Sequence, residues 1–297
     1  MQQELLKSGE NLGIYDPPSF HQHSYLSEKN IRDYYTYLDK AKEAVKNNET
    51  LSRHVQLVRS QIDFAVLEIA KVNMFGPRGW YDSVGTVRNT RMDSTLKDFC
   101  DTYKKENVDR LNELGLSTNH YYDRTKYVSD VQGTGNYAFQ KKVTASPMPS
   151  ELLNSGNLSV LTDGVRGDDM DLWLLLWLGW EGTDVELRLD LEQIIGASAV
   201  EMTTLCIPDQ WRRVLHPVSV ECLISKNKDA DFKSVGTINL DNSQVFSGGL
   251  YPFSFNVSKA GSFRYVKLKV KGTVVVPKPH TATGRKSNVC IDEIIVK

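Results

Sequence analysis

A change in the spacing of apolar residues divides the chain and limits what each part can fold into. From Val185 to Leu191 apolar and polar residues alternate without a break, and the same period of two recurs at 218–224 and 266–270. Successive side chains of a strand point to opposite faces, so this alternation predicts strands with one packed face and one wet face. Turn signals rich in Gly, Asn, Asp and Ser separate these runs. We therefore predict roughly eight antiparallel strands in a β-sandwich or jelly roll.

Up to about residue 118 the apolar spacing is helical instead. Ser27 is a candidate N-cap, and apolar residues then recur in steps of three and four from Ile31 to Val45. A second stripe runs from Leu51 to Val72, and a third helix is predicted over Ser94–Leu114, with Gly115 as its C-terminal glycine. Each predicted helix has a single apolar face, which favours a helical bundle or hairpin.

These patterns predict a multi-domain α + β fold, in which an N-terminal helical domain precedes the antiparallel β-sandwich. A length of 297 residues also favours two domains. We assign residues 1–24 to an extended N-terminal segment and 25–118 to the helical domain. Residues 119–136 are predicted to be a linker, and 137–297 to be the sandwich.

Composition limits the partners of the chain. The formal net charge of −1 argues against a nucleic-acid partner, and equally against binding to an anionic membrane. The longest apolar run, 172–180, is too short to span a bilayer, and the N-terminus lacks the pattern of a signal peptide. The four cysteines form no CxxC pair, so we expect buried or free thiols, although a Cys222–Cys290 bridge stays open.

The strand half resembles discoidin-like domains (coagulation factor 5/8 type C, galactose-binding-like), in the form found as carbohydrate-binding modules on bacterial glycosidases. An ordered series of stretches spans nearly the whole half and carries the resemblance: Leu161–Gly164 with Gly167, Trp177–Gly182, Val185–Leu191, Pro217–Glu221 leading to Ser225 and Phe232, Arg264–Leu268, and Ile291–Ile294. One departure is that Pro279–His280 keeps the His of the loop before the last strand but has proline where relatives carry an aromatic residue. The resemblance implies that the domain holds a carbohydrate rather than transforms one.

The resemblance also implies a structural calcium ion. The family's ligands map onto the side chains of Asp163 and Glu293 and onto the backbone carbonyls of Val160, Val165 and Asp292. Carboxylate and carbonyl oxygens suit this hard cation. The alternative is that Asp163 only stabilises an Asx-turn, while Glu293 is a solvated or paired residue of an edge.

A sugar site combines an aromatic platform with polar groups that bind hydroxyls. Trp211 is the candidate platform because it stands alone in the polar loop between two predicted strands, whereas Trp173, Trp177 and Trp180 lie in an apolar run and are predicted to be core. Packing of Trp211 over the edge of the core is an equally good interpretation. The other candidate sugar-binding residues are Arg166, Asp169, Gln210, Arg212, His216, His280 and Arg285.

No catalytic residues are predicted, and we do not expect this chain to be an enzyme. A glycosidase needs two carboxylates that flank a cleft. The pairs Asp168–Asp169 and Asp292–Glu293 are adjacent in sequence, and on a strand adjacent side chains face opposite sides unless a bulge intervenes. No nucleophile-elbow, zinc-protease or phosphate-loop pattern occurs.

The helical half resembles the helical region of large bacterial proteins with an α-glucuronidase-like glycosidase domain of unknown function. Tyr37–Ala41, Leu51–Arg59 and Asp63–Leu67 carry this resemblance. It implies a piece of an extracytoplasmic (periplasmic or cell-surface) polysaccharide-processing protein, whose missing catalytic domain would be a partner of the helices. Two alternatives stay open. The sandwich could be a protein-docking module, or the helices could complete the active site of the missing barrel.

Overall fold

The computed structural model describes residues 2–9, 13, 16–85, 87–111, 116–130, 135–150, 156–169 and 174–297. The chain forms two compact units, Met1–Ser129 and Asp130–Lys297. The first unit is helical and the second contains two antiparallel sheets, which confirms the predicted α + β fold class. Among the described residues, the helices lack a stretch with the length and hydropathy that a bilayer span requires.

The described part of the first unit contains five α-helices: α1 (Gln2–Ser8), α2 (Glu28–Ala44), α3 (Glu49–Val72), α4 (Thr90–Lys105) and α5 (Thr118–Val128). Side-chain caps begin the last four of these helices. The Ser27 hydroxyl accepts a hydrogen bond from the Asn30 N–H, which confirms the predicted cap of α2. Asn48, Asn89 and Ser117 cap α3, α4 and α5 in the same way. Each cap satisfies a backbone N–H that the helix leaves without an intrahelical partner.

The apolar stripes of α2 and α3 face each other. Ile31 and Tyr34 of α2 are buried against Ile62, Ala65 and Ile69 of α3. The first half of the α3 stripe is not buried in this way, because Leu51 and Val58 are 45% and 49% exposed. Only the second half of α3 is therefore part of this core.

The structure differs from three of the sequence predictions in the helical half. The predicted helix over Ser94–Leu114 is α4, which ends at Lys105, because Asn107 adopts a left-handed conformation with φ of 54°. Leu114 and Gly115 lie outside the described residues. The predicted linker, 119–136, contains most of α5, and the segment predicted to be extended, 1–24, contains α1.

The second unit is a sandwich of two sheets. Its strands in the described residues are β1 (Lys142–Ser146), β2 (Leu178–Glu181), β3 (Val185–Ile195), β4 (Ala199–Cys206), β5 (Ser219–Ser225), β6 (Lys233–Asn239), β7 (Gly249–Asn256), β8 (Phe263–Lys271) and β9 (Asn288–Val296). One sheet has the order β1-β3-β8-β5-β6 and the other β2-β9-β4-β7, and every pairing is antiparallel.

The alternation seen in the sequence is the inner face of these sheets. In β3 the side chains of Val185, Leu187, Leu189 and Leu191 are buried, while the residues between them are less so. Apolar residues of both sheets form one core cluster. The predicted burial of Trp177 and Trp180 is confirmed, and Trp173 lies outside the described residues.

All four cysteines are buried free thiols. The Cys222–Cys290 bridge that the sequence left open is therefore not formed. Cys222 lies in β5 of the five-stranded sheet and Cys290 in β9 of the four-stranded sheet, so the two thiols belong to opposite layers of the sandwich.

A pair of substitutions within β3 tests this core. Leu191 is fully buried, whereas Ile194, three residues further along the same strand, is 57% exposed. We expect Leu191→Ala to lower the free energy of unfolding by about 2–5 kcal/mol, because it leaves a cavity in the core. Ile194→Ala should change it by less than about 0.5 kcal/mol. Urea denaturation followed by tryptophan fluorescence measures both, and equal effects would contradict the placement of the core.

Candidate functional site

The loop that carries Trp211 connects β4 to β5. Ile207 and Val214 close its base, since each donates its backbone N–H to the carbonyl of the other, at 2.9 and 3.2 Å. Between them, Gln210 and Trp211 are the exposed residues at the tip of the loop, and Trp211 is 74% exposed. This exposure decides between the two interpretations of the sequence: Trp211 is not folded over the edge of the core.

Asp209 fixes the tip of this loop from within. Its carboxylate accepts hydrogen bonds from the backbone N–H groups of Trp211 and Arg212, and from Nε of Arg212 at 2.6 Å. Partial burial acts to raise the pKa of Asp209, but these hydrogen bonds and the Arg212 charge outweigh it and hold the pKa below its ordinary value. Arg212 is therefore engaged within the loop as an ion-pair partner.

The segment before β9 holds the same loop from outside. Ala282 donates its N–H to Nδ1 of His280, so Nε2 carries the proton and donates to the carbonyl of Pro208 at 2.6 Å. Asn288 donates its side-chain N–H to the carbonyl of Arg212 at 2.7 Å. The His that the resemblance singled out thus acts here as a clamp on the Trp211 loop.

Cationic side chains bind the backbone of the Trp211 loop. Arg213 donates to the carbonyls of Trp211 and Lys286, at 2.7 and 2.9 Å. The guanidinium of Arg285 lies 3.5 Å from the backbone carbonyl of Gln210. Both residues are exposed. The result is an exposed indole on a fixed loop, with guanidinium groups at the backbone carbonyls of Trp211 and of its exposed neighbour Gln210.

The eight predicted sugar-binding residues do not all meet at this loop. Trp211, Gln210, Arg212, His280 and Arg285 share it through the contacts above. Asp169 lies beside Gly249, with its Oδ2 3.8 Å from the position that a Cβ of Gly249 would occupy. Arg166 lies within electrostatic reach of the two carboxyl groups of β9, Asp292 and Glu293. Burial raises the pKa of both groups, and the Arg166 charge opposes that rise only in part.

His216 does not belong to an accessible site. Its side chain is completely buried, and its Nδ1 is hydrogen-bonded to the Thr204 hydroxyl at 2.8 Å. Burial lowers its pKa to about 4. The sequence suggested an exposed loop residue, but the chain turns inward at Val214 and Leu215, which are also buried.

A bulge in β9 brings the two adjacent acids to one side. The pairing of β9 with β4 shifts between Met202 and Thr203, and Glu293 adopts a φ of 33°. Asp292 accepts a hydrogen bond from the Gly167 N–H, and Glu293 accepts one from the Gly164 N–H at 3.0 Å. Both carboxylates therefore face the turn at 163–167, which strict alternation would not allow.

Asp163 completes this acidic cluster, defined as Asp163, Asp292 and Glu293. Burial raises the pKa of Asp163 to about 7 and raises those of Asp292 and Glu293 well above their ordinary values. Repulsion from Asp163 raises the pKa of Asp292 further, and repulsion from Asp292 and Asp163 does the same for Glu293. The carboxylate of Asp163 accepts from the Val165 N–H at 2.8 Å, as in an Asx-turn. In the described part of the chain, Oδ1 of Asp292 is buried without a hydrogen-bond partner.

The turn beside the cluster is fixed by close packing. The backbone of Gly167 lies against Trp177, where an added Cβ would come within 2.3 Å of the indole ring. Trp177 Nε1 donates to the carbonyl of Asp168 at 2.9 Å. Only glycine fits this approach, so the Gly167 N–H is held in position towards Asp292.

The donor set of the cluster agrees with a hard cation, but its geometry is not that of a site built from side chains alone. Within the described ranges, no group of three or more His, Cys, Asp or Glu side chains is arranged so that it could hold a metal ion. The predicted calcium set uses only two side chains, those of Asp163 and Glu293, and takes its remaining oxygens from backbone carbonyls.

The chain is similar to several solved carbohydrate-binding structures. Chitosan-binding module 1 of a chitosanase/glucanase from Paenibacillus sp. IK-5 gives a TM-score of 0.32 at 17% identity, covering 55% of this chain and 98% of that one. A Clostridium perfringens carbohydrate-binding module in complex with GalNAc-β-1,3-galactose gives 0.33 at 18% identity, with coverage of 53% and 94%. A fucolectin from striped bass (Morone saxatilis) serum gives 0.36 at 18%, with coverage of 55% and 48%.

No family model matches the chain, and no curated protein matches it either.

The burial of His216 predicts a pH dependence of stability. Burial lowers its pKa from 6.5 in the unfolded chain to about 4 in the folded chain. Between these two values the unfolded chain binds a proton that the folded chain does not. Stability from this group is present above pH 6.5 and is lost as the pH falls towards 4. In the unmodified chain, this group should lower the unfolding free energy by about 2 kcal/mol when the pH falls from 7.5 to 5. We expect His216→Asn to abolish this part of the pH dependence. Urea denaturation of both proteins at the two pH values measures this, and identical pH slopes would contradict a neutral buried His216.

Proposed function

We propose that the sandwich unit is a non-catalytic carbohydrate-binding module whose platform is Trp211. The observation that carries the proposal is the high exposure of this indole on a loop whose carbonyls are already bound by neighbouring side chains. Tryptophan is enriched at binding surfaces because its indole combines a large apolar face with an N–H donor. A sugar ring presents its apolar C–H face to such a platform, while its hydroxyls bind the polar groups around it.

The proposed subsite residues are Trp211, Gln210 and Arg285, with Arg212 and His280 as positioning residues. Arg285 and Gln210 present exposed polar groups, whereas Arg212 and His280 bind Asp209 and the Pro208 carbonyl. Lys278 and Lys286 add exposed positive charge nearby in the chain. This charge favours sugars that carry a carboxylate or sulfate over neutral ones.

Binding rather than catalysis fits the placement of the acids. Asp292 and Glu293 are each 1% exposed, and both are hydrogen-bonded to the backbone of the 163–167 turn. A glycosidase needs its two carboxylates at a cleft that a glycosidic bond can enter. We therefore assign these acids to structural support of the module.

Substitution of the platform tests the carbohydrate site. We expect Trp211→Ala to weaken binding by about tenfold or more, or about 1.4 kcal/mol, because the apolar contact with the sugar face is lost. Trp211→Phe should retain part of the affinity. A glycan array with neutral, uronic-acid and sulfated sugars selects the ligand, and calorimetry on the full chain then compares the variants.

The matched control for this experiment is Ile194→Ala, which removes an exposed apolar side chain from β3. It should bind the selected glycan like the unmodified chain. Unchanged affinity of Trp211→Ala, or no binding to any glycan by a folded chain, would contradict the proposal.

We also propose that the acidic cluster contributes to a structural calcium site. Asp163 and Glu293 would bind the ion through their carboxylates, together with the carbonyls of Val160, Val165 and Asp292. Two observations support this. The buried carboxyl groups of Asp292 and Glu293 lie within electrostatic reach of the partly buried Asp163, and Oδ1 of Asp292 is buried without a partner among the described residues. A divalent cation would offset the cost of keeping these groups ionised.

Calcium should therefore stabilise the folded chain. Added to EDTA-treated protein at about 100 times its Kd, calcium is expected to raise the unfolding free energy by about 2.7 kcal/mol, seen as a higher Tm in calorimetry. Asp163→Asn should abolish this shift. Asp229→Asn, in the exposed 225–233 loop with a 76% exposed side chain, should keep it. An equal shift in both variants, or none in the unmodified chain, would contradict the site.

The helical unit is proposed to be the spacer of a larger, extracytoplasmic polysaccharide-processing protein, with a catalytic domain as its partner. The support is the resemblance carried by Tyr37–Ala41, Leu51–Arg59 and Asp63–Leu67. The coding sequence that surrounds this chain tests the idea directly. A complete reading frame without a segment for a glycosidase barrel would contradict it.

A further inference from the structure

A polar cavity lies between three helices of the first unit. Its volume is about 310 Å³, at the lower end of the roughly 300–1,000 Å³ typical of small-molecule sites. Helices α2, α3 and α4 each contribute to its wall. The lining residues all carry polar groups: Tyr35, Asp39, Lys42, Gln56, Arg59, Asp63, Arg91, Ser94, Thr95 and Asp98.

The spacing of these residues is that of a helix stripe. The α2 residues are at positions 35, 39 and 42, the α3 residues at 56, 59 and 63, and the α4 residues at 91, 94, 95 and 98. Steps of three and four place residues on one face of a helix. Between packed helices such stripes are ordinarily apolar, whereas here three polar stripes converge.

Asp63 lies at the buried end of this cavity. Only 4% of it is exposed, although its neighbours Ile62 and Ala65 belong to the apolar core of the unit. The hydroxyl of Tyr35 donates a hydrogen bond to Asp63 Oδ1 at 2.7 Å. Burial of a carboxylate is costly unless it is paired. In agreement with that cost, burial raises the pKa of Asp63 to about 6 despite the opposing effects of Tyr35 and Arg59.

Two guanidinium groups flank the tyrosine that holds this acid. The guanidinium carbon of Arg59 lies 4.9 Å from the centre of the Tyr35 ring, and that of Arg91 lies 5.7 Å from it. Arg59 is also paired with Asp39 at 2.7 Å. The cavity therefore has a buried acid at its base and both signs of charge around its opening.

The balance of these groups selects a chemical class of ligand. Three cations (Lys42, Arg59, Arg91) oppose three anions (Asp39, Asp63, Asp98), so the formal charge of the lining is zero. An apolar ligand would leave these polar groups without hydrogen-bond partners. An anionic ligand would be repelled by the carboxylates of Asp63 and Asp98. A hydroxyl group both donates and accepts, so it satisfies carboxylates and guanidinium groups alike, in charge-assisted hydrogen bonds.

We propose that this cavity binds a small neutral polyol of about the size of one sugar residue, with Asp63 and Arg91 as its principal contacts. The inference concerns the helical unit alone and is independent of the Trp211 site. The class of ligand follows from the hydrogen-bonding groups of the lining and not from the function proposed for the sandwich.

Chemical-shift titration of the ¹⁵N-labelled full chain tests this proposal, with myo-inositol, D-xylose and methyl α-D-glucoside as probes. At least one probe should cause saturable shifts of the amides at 35–42, 56–63 and 91–98. Asp63→Asn and Arg91→Gln should each weaken that binding at least about tenfold. Arg91 is exposed, so Arg91→Gln decides the outcome if Asp63→Asn does not fold.

Two control variants distinguish binding in this cavity from a general effect of removing an acid and from binding at the Trp211 site. Asp101→Asn makes the same chemical change on α4 outside the cavity, at an acid paired with Lys97, and should bind like the unmodified chain. Trp211→Ala should also leave these shifts unchanged, so failure of the sandwich site and failure of the helical site are distinguishable. The proposal is overturned if no probe gives saturable shifts at these amides, if glycine alone does so, or if both cavity variants bind with unchanged affinity.

Discussion

The position of β9 between β2 and β4 is the constraint on which the rest of the sandwich depends. Most of its residues are buried, and it pairs antiparallel with both neighbours. At its start, the backbone of Asn288 binds Arg213 and Leu215, and its side chain binds Arg212. Further along, Asp292 and Glu293 hold the 163–167 turn. One strand thereby fixes both the base of the Trp211 loop and the acidic cluster.

The sequence predicted the layers of the sandwich because alternation is a local property. The inward residues of β3 are also the apolar residues of its pattern, so a period of two is enough to identify its buried face. The bulge at Glu293 could not be found in this way. Nothing in the local pattern shows that a non-glycine residue takes a positive φ, and the shift in register arises from pairing with β4, almost ninety residues earlier.

The site residues also differ in whether local sequence or contacts with distant residues decide their environment. Trp211 was identifiable as a candidate, but its exposure depends on partners such as His280 and Asn288, about seventy residues away in the chain. The burial of His216 was not foreseen, because the partner that its side chain binds there is Thr204 of β4, on the other side of the Trp211 loop in the chain. Helix α5 was missed for a related reason. Its buried side is formed by Tyr121, Thr125 and Val128, which have helical spacing but are not uniformly apolar.

The two proposed sites use the same chemistry in opposite geometries. Trp211 would be a protruding platform. Its affinity for a sugar would depend on ordering that the folded loop already supplies, since the loop carbonyls are bound by side chains of the chain itself. The helical cavity is concave, and its charges lie around a buried acid. A platform suits one face of an extended chain, because nothing encloses the ligand ends. A cavity of about 310 Å³ limits ligand size, so discrimination there would come from the hydroxyl pattern rather than from chain length.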